Sequence, residues 1–273
     1  MSSYISTILI LLNILVSYRG FKDYSFKESY SFKVDAIQLQ KDYKRLITSG
    51  FLHANWMHLF FNMFMLYLFG SGFEESVGSL RFIVIYFSAL IGGNLLSLFV
   101  HRFDSSYSSI GASGAIMGIL FSAIALTPGM SIGFFFLPAI PGWLFGLIYV
   151  IISIYGIRSR TDNIGHDSHL GGGLTGMLVA IFLYPSILMA NTFTIAVITV
   201  PAVTFILFII YKPQALFVDN VFYKNQDLTI EDKYNLGRIN KQKELDRLLD
   251  KIHNKGIGSL TKKEKEMLKE YST

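Results

Sequence analysis

The chain contains no cysteine, which removes a disulfide framework, a thiolate nucleophile and any Cys-ligated zinc site. Charge is also scarce. Only 16% of the residues are charged and 52% are hydrophobic, against roughly 25% charged in an average soluble domain. The balance fits a polytopic membrane protein. The formal charge of +5 is not gathered into a basic arm: 13 of the 24 Lys and Arg lie after Tyr211, beside 10 of the 19 acids. Such a tail is nearly neutral, and no nucleic-acid partner is expected. The first apolar run, Tyr4 to Val16, has no positive region before it and no small-residue cleavage signal after Tyr18. It reads as a retained span and not a signal peptide.

What the chain has in quantity is apolar runs. Crossing about 30 Å of hydrocarbon takes roughly 20 residues of helix. That ruler places spans near 4–18, 55–72, 81–100, 113–127, 138–156, 168–190 and 192–211. Pro185 and Pro201 interrupt the last two, which are read as two spans joined at Ala190-Asn191. Residues 1–213 thus form a membrane domain and 214–273 a polar tail. In the tail, Leu245, Leu248, Leu249 and Ile252 share one helical face. Gly256 stops that helix, and Thr261-Lys-Lys-Glu264 has the pattern of a capping box opening a second one. A small extramembrane helical hairpin is expected, and two readings of it stand open: it docks on an unidentified protein partner, or it simply folds back. The long first loop, 19–54, interleaves Lys and Arg with Tyr and Phe; the pattern suits an amphipathic segment lying in the membrane interface.

Polar side chains inside spans are costly and mark functional interiors. Three groups stand out: His58 and Asn62 at the start of the second span, Ser113 in Gly111-Ala-Ser113-Gly114 at the start of the fourth, and His169 at the start of the sixth. Alternate spans run in the same direction, so all four residues lie on one side of the bilayer at similar depth. From Ser113 to Thr127 the fourth span covers about 22 Å, which leaves the serine roughly 8 Å below the near surface. Polar backbone at that depth must be buried in protein or line a water-filled cavity. Hydrolysis there requires such a cavity.

Gly114 with Gly118, and Gly172 with Gly176, form two small-xxx-small steps that let the fourth and sixth spans approach closely. Close approach brings His169 to Ser113. A Ser-His dyad follows, in which the imidazole takes the hydroxyl proton as the oxygen attacks a carbonyl and later returns it to the leaving amine. His58, Asn62 and the Ser113 N–H are the candidate oxyanion donors. Asp167, two residues before His169, points away from it along a helix and is not expected to orient the base. His166, Asp167 and His169 could be read as metal ligands, but a third cluster is missing; no metal and no cofactor are expected. His53 reads as a structural polar residue of the first loop, and His101 carries no functional signal.

The pieces His53-Ala-Asn-Trp-Met-His58-Leu-Phe-Phe-Asn62, Glu74-Glu-Ser-Val-Gly78-Ser79, Gly111-Ala-Ser113-Gly114 and His169-Leu-Gly-Gly172-Gly-Leu-Thr-Gly176 resemble, in order and spacing, the rhomboid family of intramembrane serine proteases. The resemblance covers roughly residues 1–190. It implies an all-α, six-helix membrane bundle, here with a seventh C-terminal span. It also implies Ser113 as nucleophile, His169 as base, and His58 and Asn62 at the oxyanion. Substrates would be transmembrane proteins entering sideways from the lipid bilayer, and the expected location is the bacterial inner (plasma) membrane. Two positions depart from the family pattern. Lys44-Arg45 stands where a Trp-Arg pair is usual, and Met117 stands where relatives often place an aromatic against the catalytic histidine. The rival reading, a non-catalytic rhomboid-like protein that binds membrane helices, normally loses the serine or the histidine; this chain keeps both. A small transporter would want an internal repeat or paired broken helices, and neither is seen.

Overall fold

The computed structural model describes residues 4–127, 129–133, 138–159, 162, 164–212, 251–252, 261 and 264 of a chain that divides into two compact units, Met1–Val218 and Asp219–Thr273. The first unit opens with α1 (Tyr4–Lys22). A loop follows that carries α2 (Tyr24–Tyr30), β1 (Phe32–Lys33), α3 (Val34–Gln38), α4 (Arg45–Thr48) and a 3-10 turn at Ser49–Phe51. Next come α5 (Trp56–Met65), a π-helical turn over Leu66–Gly70, α6 (Ser71–Val77) and α7 (Ser79–Val100). The chain goes on through β2 (Ser108–Ser109), α8 (Ser113–Leu126), β3 (Ser131–Ile132), β4 (Ile140–Pro141), α9 (Gly142–Ser159), α10 (His166–Leu183), α11 (Ile187–Ala190) and α12 (Thr192–Tyr211).

Among the described residues, α1, α7, α9 and α12 are long and apolar enough to cross a bilayer, and α8 is a shorter apolar helix. The protein is a multi-pass membrane protein. The sixth expected span is shorter than its apolar run, because α10 ends at Leu183 and the chain resumes as α11. Tyr184 precedes Pro185, and the residue before a proline is pushed out of the helical region. Pro201, by contrast, lies inside α12, which continues through it.

Helix α8 is the axis of the unit, with every residue from Gly114 to Ala125 buried. Glycine explains how its neighbours come so near. A Cβ on Gly172 would stand 2.2 Å from the Gly114 carbonyl oxygen, and one on Gly176 would stand 2.5 Å from Gly118 Cα. On the other flank, a Cβ on Gly118 would meet that of Ala89 at 2.1 Å. Backbone therefore lies on backbone where α8 meets α10. The outer helices instead turn large apolar side chains outward, Leu11 and Leu15 on α1 and Ile151 and Tyr155 on α9 among them.

The first loop is built around its own small core of Phe32, Val34 and Ile37. Arg45, from the pair that departs from the family pattern, is buried. It donates to the Asp42 carboxylate at 2.9 Å and to the carbonyls of Glu28 and Ser31 at 2.8 and 2.7 Å. Its five-donor fork satisfies three loop segments at once, which a solvated lysine does not do. Glu74, from the second motif, accepts the Ile5 and Ser6 N–H groups at 3.1 and 2.8 Å and the Ser79 hydroxyl at 2.6 Å. A carboxylate there satisfies first-turn N–H groups of α1 that have no partner within the helix, and it lies at the positive end of the dipole.

In the second unit, the Thr261 N–H donates to the Glu264 carboxylate at 2.7 Å and the Glu264 N–H to the Thr261 hydroxyl at 3.3 Å, the reciprocal pair of a capping box. The Lys251 ammonium reaches the same carboxylate at 2.7 and 2.8 Å, and it is the main cause holding Glu264 down at about 2. Lys251 and Ile252 are helical. The rest of the expected hairpin, including its Leu face and Gly256, lies outside the described residues.

Candidate active site

Ser113 is the first residue of α8, so its N–H has no intrahelical partner. The approach to it is fixed by two contacts with the first loop. Strand β2 pairs antiparallel with β1, Phe32 opposite Ser109, and the Gly111 N–H donates to the Ser49 carbonyl at 3.0 Å. Gly111 has φ +138°, and a Cβ on it would press on the His58 ring at 3.0 Å. A side chain here would be strained twice, by the backbone and by the imidazole.

His169 lies in the first turn of α10, and its Nε2 is 2.5 Å from Ser113 Oγ. That is a short hydrogen bond between a hydroxyl and an imidazole, the geometry in which the ring can accept the proton as the oxygen attacks. Its other nitrogen, Nδ1, is 2.7 Å from the Tyr149 hydroxyl of α9. Met117, one turn beyond the serine, is buried in the core beside Phe121 and Leu174.

The two remaining candidates sit across the cavity on α5. The Ala54 N–H donates to His58 Nδ1 at 3.3 Å, so a neutral His58 carries its proton on Nε2, the nitrogen that faces Gly111. Asn62 donates one amide hydrogen to the His58 carbonyl at 2.9 Å and keeps the second. Ser113, His169, His58 and Asn62 all line one cavity of about 870 Å³, together with the polar side chains of Ser49 and Asn94. A cavity of that size, with these polar groups on its wall, has room for many waters. Gly114, Gly118, Gly172 and Gly176 line the seam behind it, and Gly111 lies at its wall.

His53 is buried behind His58, ring centroids 5.0 Å apart. The Ser17 hydroxyl gives its single proton to the Phe51 carbonyl at 2.9 Å, so His53 Nδ1 is the donor in their 2.8 Å contact. Burial, and then the nearby His58, lower His53 to about 3; it is neutral at physiological pH.

The residues read as alternative metal ligands point to different partners. His166 Nε2 meets Asp162 at 3.1 Å, and Asp167 faces His101 Nε2 at 3.2 Å. Asp162 is held below the usual carboxylate range: burial raises it, but hydrogen bonds from His166 and from the Ile164 backbone outweigh that. His101, which the sequence left without a role, is also stacked on Tyr107 with centroids 3.4 Å apart. Tyr149 was missed altogether; the one hint was the vacant aromatic place at Met117.

A family model described as the rhomboid domain matches residues 40–186, more than half of the chain. The chain belongs to the rhomboid family. A second match, to a family of unknown function, DUF6576, covers residues 228–273 of this rhomboid. Among similar curated proteins, Rhomboid protein 1, mitochondrial, of Saccharomyces cerevisiae is 34% identical over 149 residues, 51% of this chain and 43% of that one. Rhomboid protease GluP of Bacillus subtilis is 35% identical over 152 residues, 56% of this chain and 28% of its own. Rhomboid-like protein 11, chloroplastic, of Arabidopsis thaliana is 32% identical over 155 residues, 52% and 54% of the two chains. This rhomboid thus spans about half or less of the length of these relatives, which come from bacterial, mitochondrial and chloroplast settings.

Proposed function

We propose that this rhomboid is an intramembrane serine protease that hydrolyses peptide bonds of membrane-spanning substrates. Ser113 is the nucleophile, His169 the base, and His58 and Asn62 bind the oxyanion. The observation that carries the reading is the 2.5 Å contact between His169 Nε2 and Ser113 Oγ on the wall of a large cavity that polar side chains help to line. The Ser113 oxygen attacks the scissile carbonyl as its proton passes to His169 Nε2. The carbonyl oxygen becomes an oxyanion facing the His58 Nε2–H, the free amide hydrogen of Asn62 and the Ser113 N–H. The C–N bond breaks, the proton passes from His169 to the leaving amine, and an acyl-serine remains. A water from the cavity, deprotonated by the same imidazole, then attacks the ester and restores both residues.

Seven spans, with the membrane domain at 1–213 and the tail at 214–273, complete the reading, and α12 is the span added beyond the six-helix core. The Bacillus subtilis relative supports a bacterial plasma membrane as its location. The test is labelling in native membranes with a fluorophosphonate, comparing wild type, Ser113→Ala and His169→Ala. Label on the wild type that disappears in both variants is the expected result. An unlabelled wild type beside a reactive reference rhomboid would turn the reading to a non-catalytic protein that binds membrane helices.

A further inference from the structure

The base of a Ser-His pair needs its second nitrogen held, because a free imidazole rotates and changes tautomer; an aspartate does this in the familiar triad. Here the nearest acid does not: Asp167 is turned to His101. What stands at His169 Nδ1 is the Tyr149 hydroxyl, at 2.7 Å. If Nε2 accepts the Ser113 proton, Nδ1 carries the hydrogen and the phenol oxygen receives it.

The tyrosine is itself held. Its ring stacks on Phe145, one turn earlier on α9, at 5.9 Å and 23°, and meets the edge of Phe121 of α8 at 6.1 Å and 82°. Phe121 has this place because Gly173, one turn after His169, has no side chain; a Cβ there would stand 2.9 Å from the Phe121 ring. The hydroxyl is therefore set by packing from three helices, and two aromatic contacts fix the ring that bears it.

We propose that Tyr149 is the positioning residue of the active site, accepting the His169 Nδ1–H and holding the imidazole with Nε2 toward Ser113. The role rests on the protease reading above. It assigns to α9 the task that an aromatic at position 117 would otherwise share.

The test uses the full chain in liposomes and a fluorophosphonate, whose maximal inactivation rate and half-saturating concentration are measured separately. Tyr149→Phe keeps the ring and removes the hydroxyl. We expect the maximal rate to fall about tenfold to a hundredfold, with half-saturation within twofold and the melting temperature unchanged. Tyr149→3-fluorotyrosine, which restores a hydroxyl, should recover the rate to within about threefold. A Tyr149→Phe protein that reacts at the wild-type rate overturns the proposal. So does one whose rate and melting temperature fall together, since that is a packing role, or a fluorotyrosine protein no faster than the Phe variant. A wild type that does not react at all removes the protease reading, and this role with it; a reactive wild type with an equally reactive Phe variant removes only the role of Tyr149.

Discussion

His169 is approached from two sides by two different kinds of contact. Toward α8 the neighbours meet backbone to backbone, with Gly172 against Gly114 and Gly176 against Gly118. Toward α9 the meeting is made by side chains, and beyond it α9 packs on α12 with Gly146 under the flexible end of Ile198. The first kind of contact sets a distance and has almost no give, because main-chain atoms cannot rotate away. The second sets an orientation and can adjust by rotamer. In the proposed mechanism the separation of nucleophile and base would belong to the seam, and the aim of the base to a tyrosine.

The seam should be the easiest part to break. Gly172→Ala places a methyl 2.2 Å from a carbonyl oxygen. Helix propensity alone would favour alanine by about 1 kcal/mol, so a loss here reports the clash. We expect about 3 kcal/mol of destabilisation or more and no fluorophosphonate labelling, read from the melting temperature in detergent and from gel fluorescence. A stable, active Gly172→Ala protein would mean that the helices can separate without cost. Next in size is Asn62→Ala, which should leave the fold intact and reduce cleavage of a model transmembrane substrate by about 10²-fold, the usual cost of one lost oxyanion donor. Full activity would remove Asn62 from the oxyanion site.

The side-chain contact should yield far more softly. In Gly146→Ala the new Cβ meets Ile198 Cδ1 at 2.4 Å, the movable end of a side chain. We expect a change of less than about 1 kcal/mol and near-normal labelling; a collapse as deep as that of Gly172→Ala would abolish the contrast between the two interfaces. A last test is set apart because it appears only in acid, and it concerns His53. Its pKa falls from 6.5 to about 3 on folding, so the unfolded chain binds a proton more readily than the folded one. Stability is then fully present above pH 6.5 and is lost as pH falls toward 3, by up to about 1.4 kcal/mol per pH unit. His53→Gln should flatten melting temperature against pH between 6 and 4, and an unchanged slope would assign the acid sensitivity elsewhere.

Much of the site could be read from the chain because it consists of polar residues in apolar surroundings. Ser113, His58, Asn62 and His169 are conspicuous for that reason, and span counting alone puts them on one side of the membrane. Tyr149 is invisible by the same logic, being one of 15 tyrosines beside 24 phenylalanines, where an aromatic in a span is the rule. His101 went unread because its partner, Asp167, is far away in the chain, and no periodicity links them. Hydropathy also sets the end of the sixth span too late, because it continues through 190 while Pro185 ends α10 sooner. For the first loop, composition offers only aromatic and cationic residues suited to an interface. Its buried Arg45 and the Phe32 core need tertiary partners that composition does not carry.

The pairing of Phe32 and Lys33 with Ser109 and Ser108 has a consequence for biogenesis. The two segments bracket α5, α6 and α7; in the proposed seven-span reading they meet only when the chain between them has crossed the bilayer and come back. A two-residue ladder contributes little binding energy, yet it can form in one topology and not in its inverse. In that reading it would serve as a parity check on insertion, because the loop that delivers Ser113 would take its shape only after the preceding hairpin had been threaded correctly. A misinserted chain would carry every residue of the site and still lack the site.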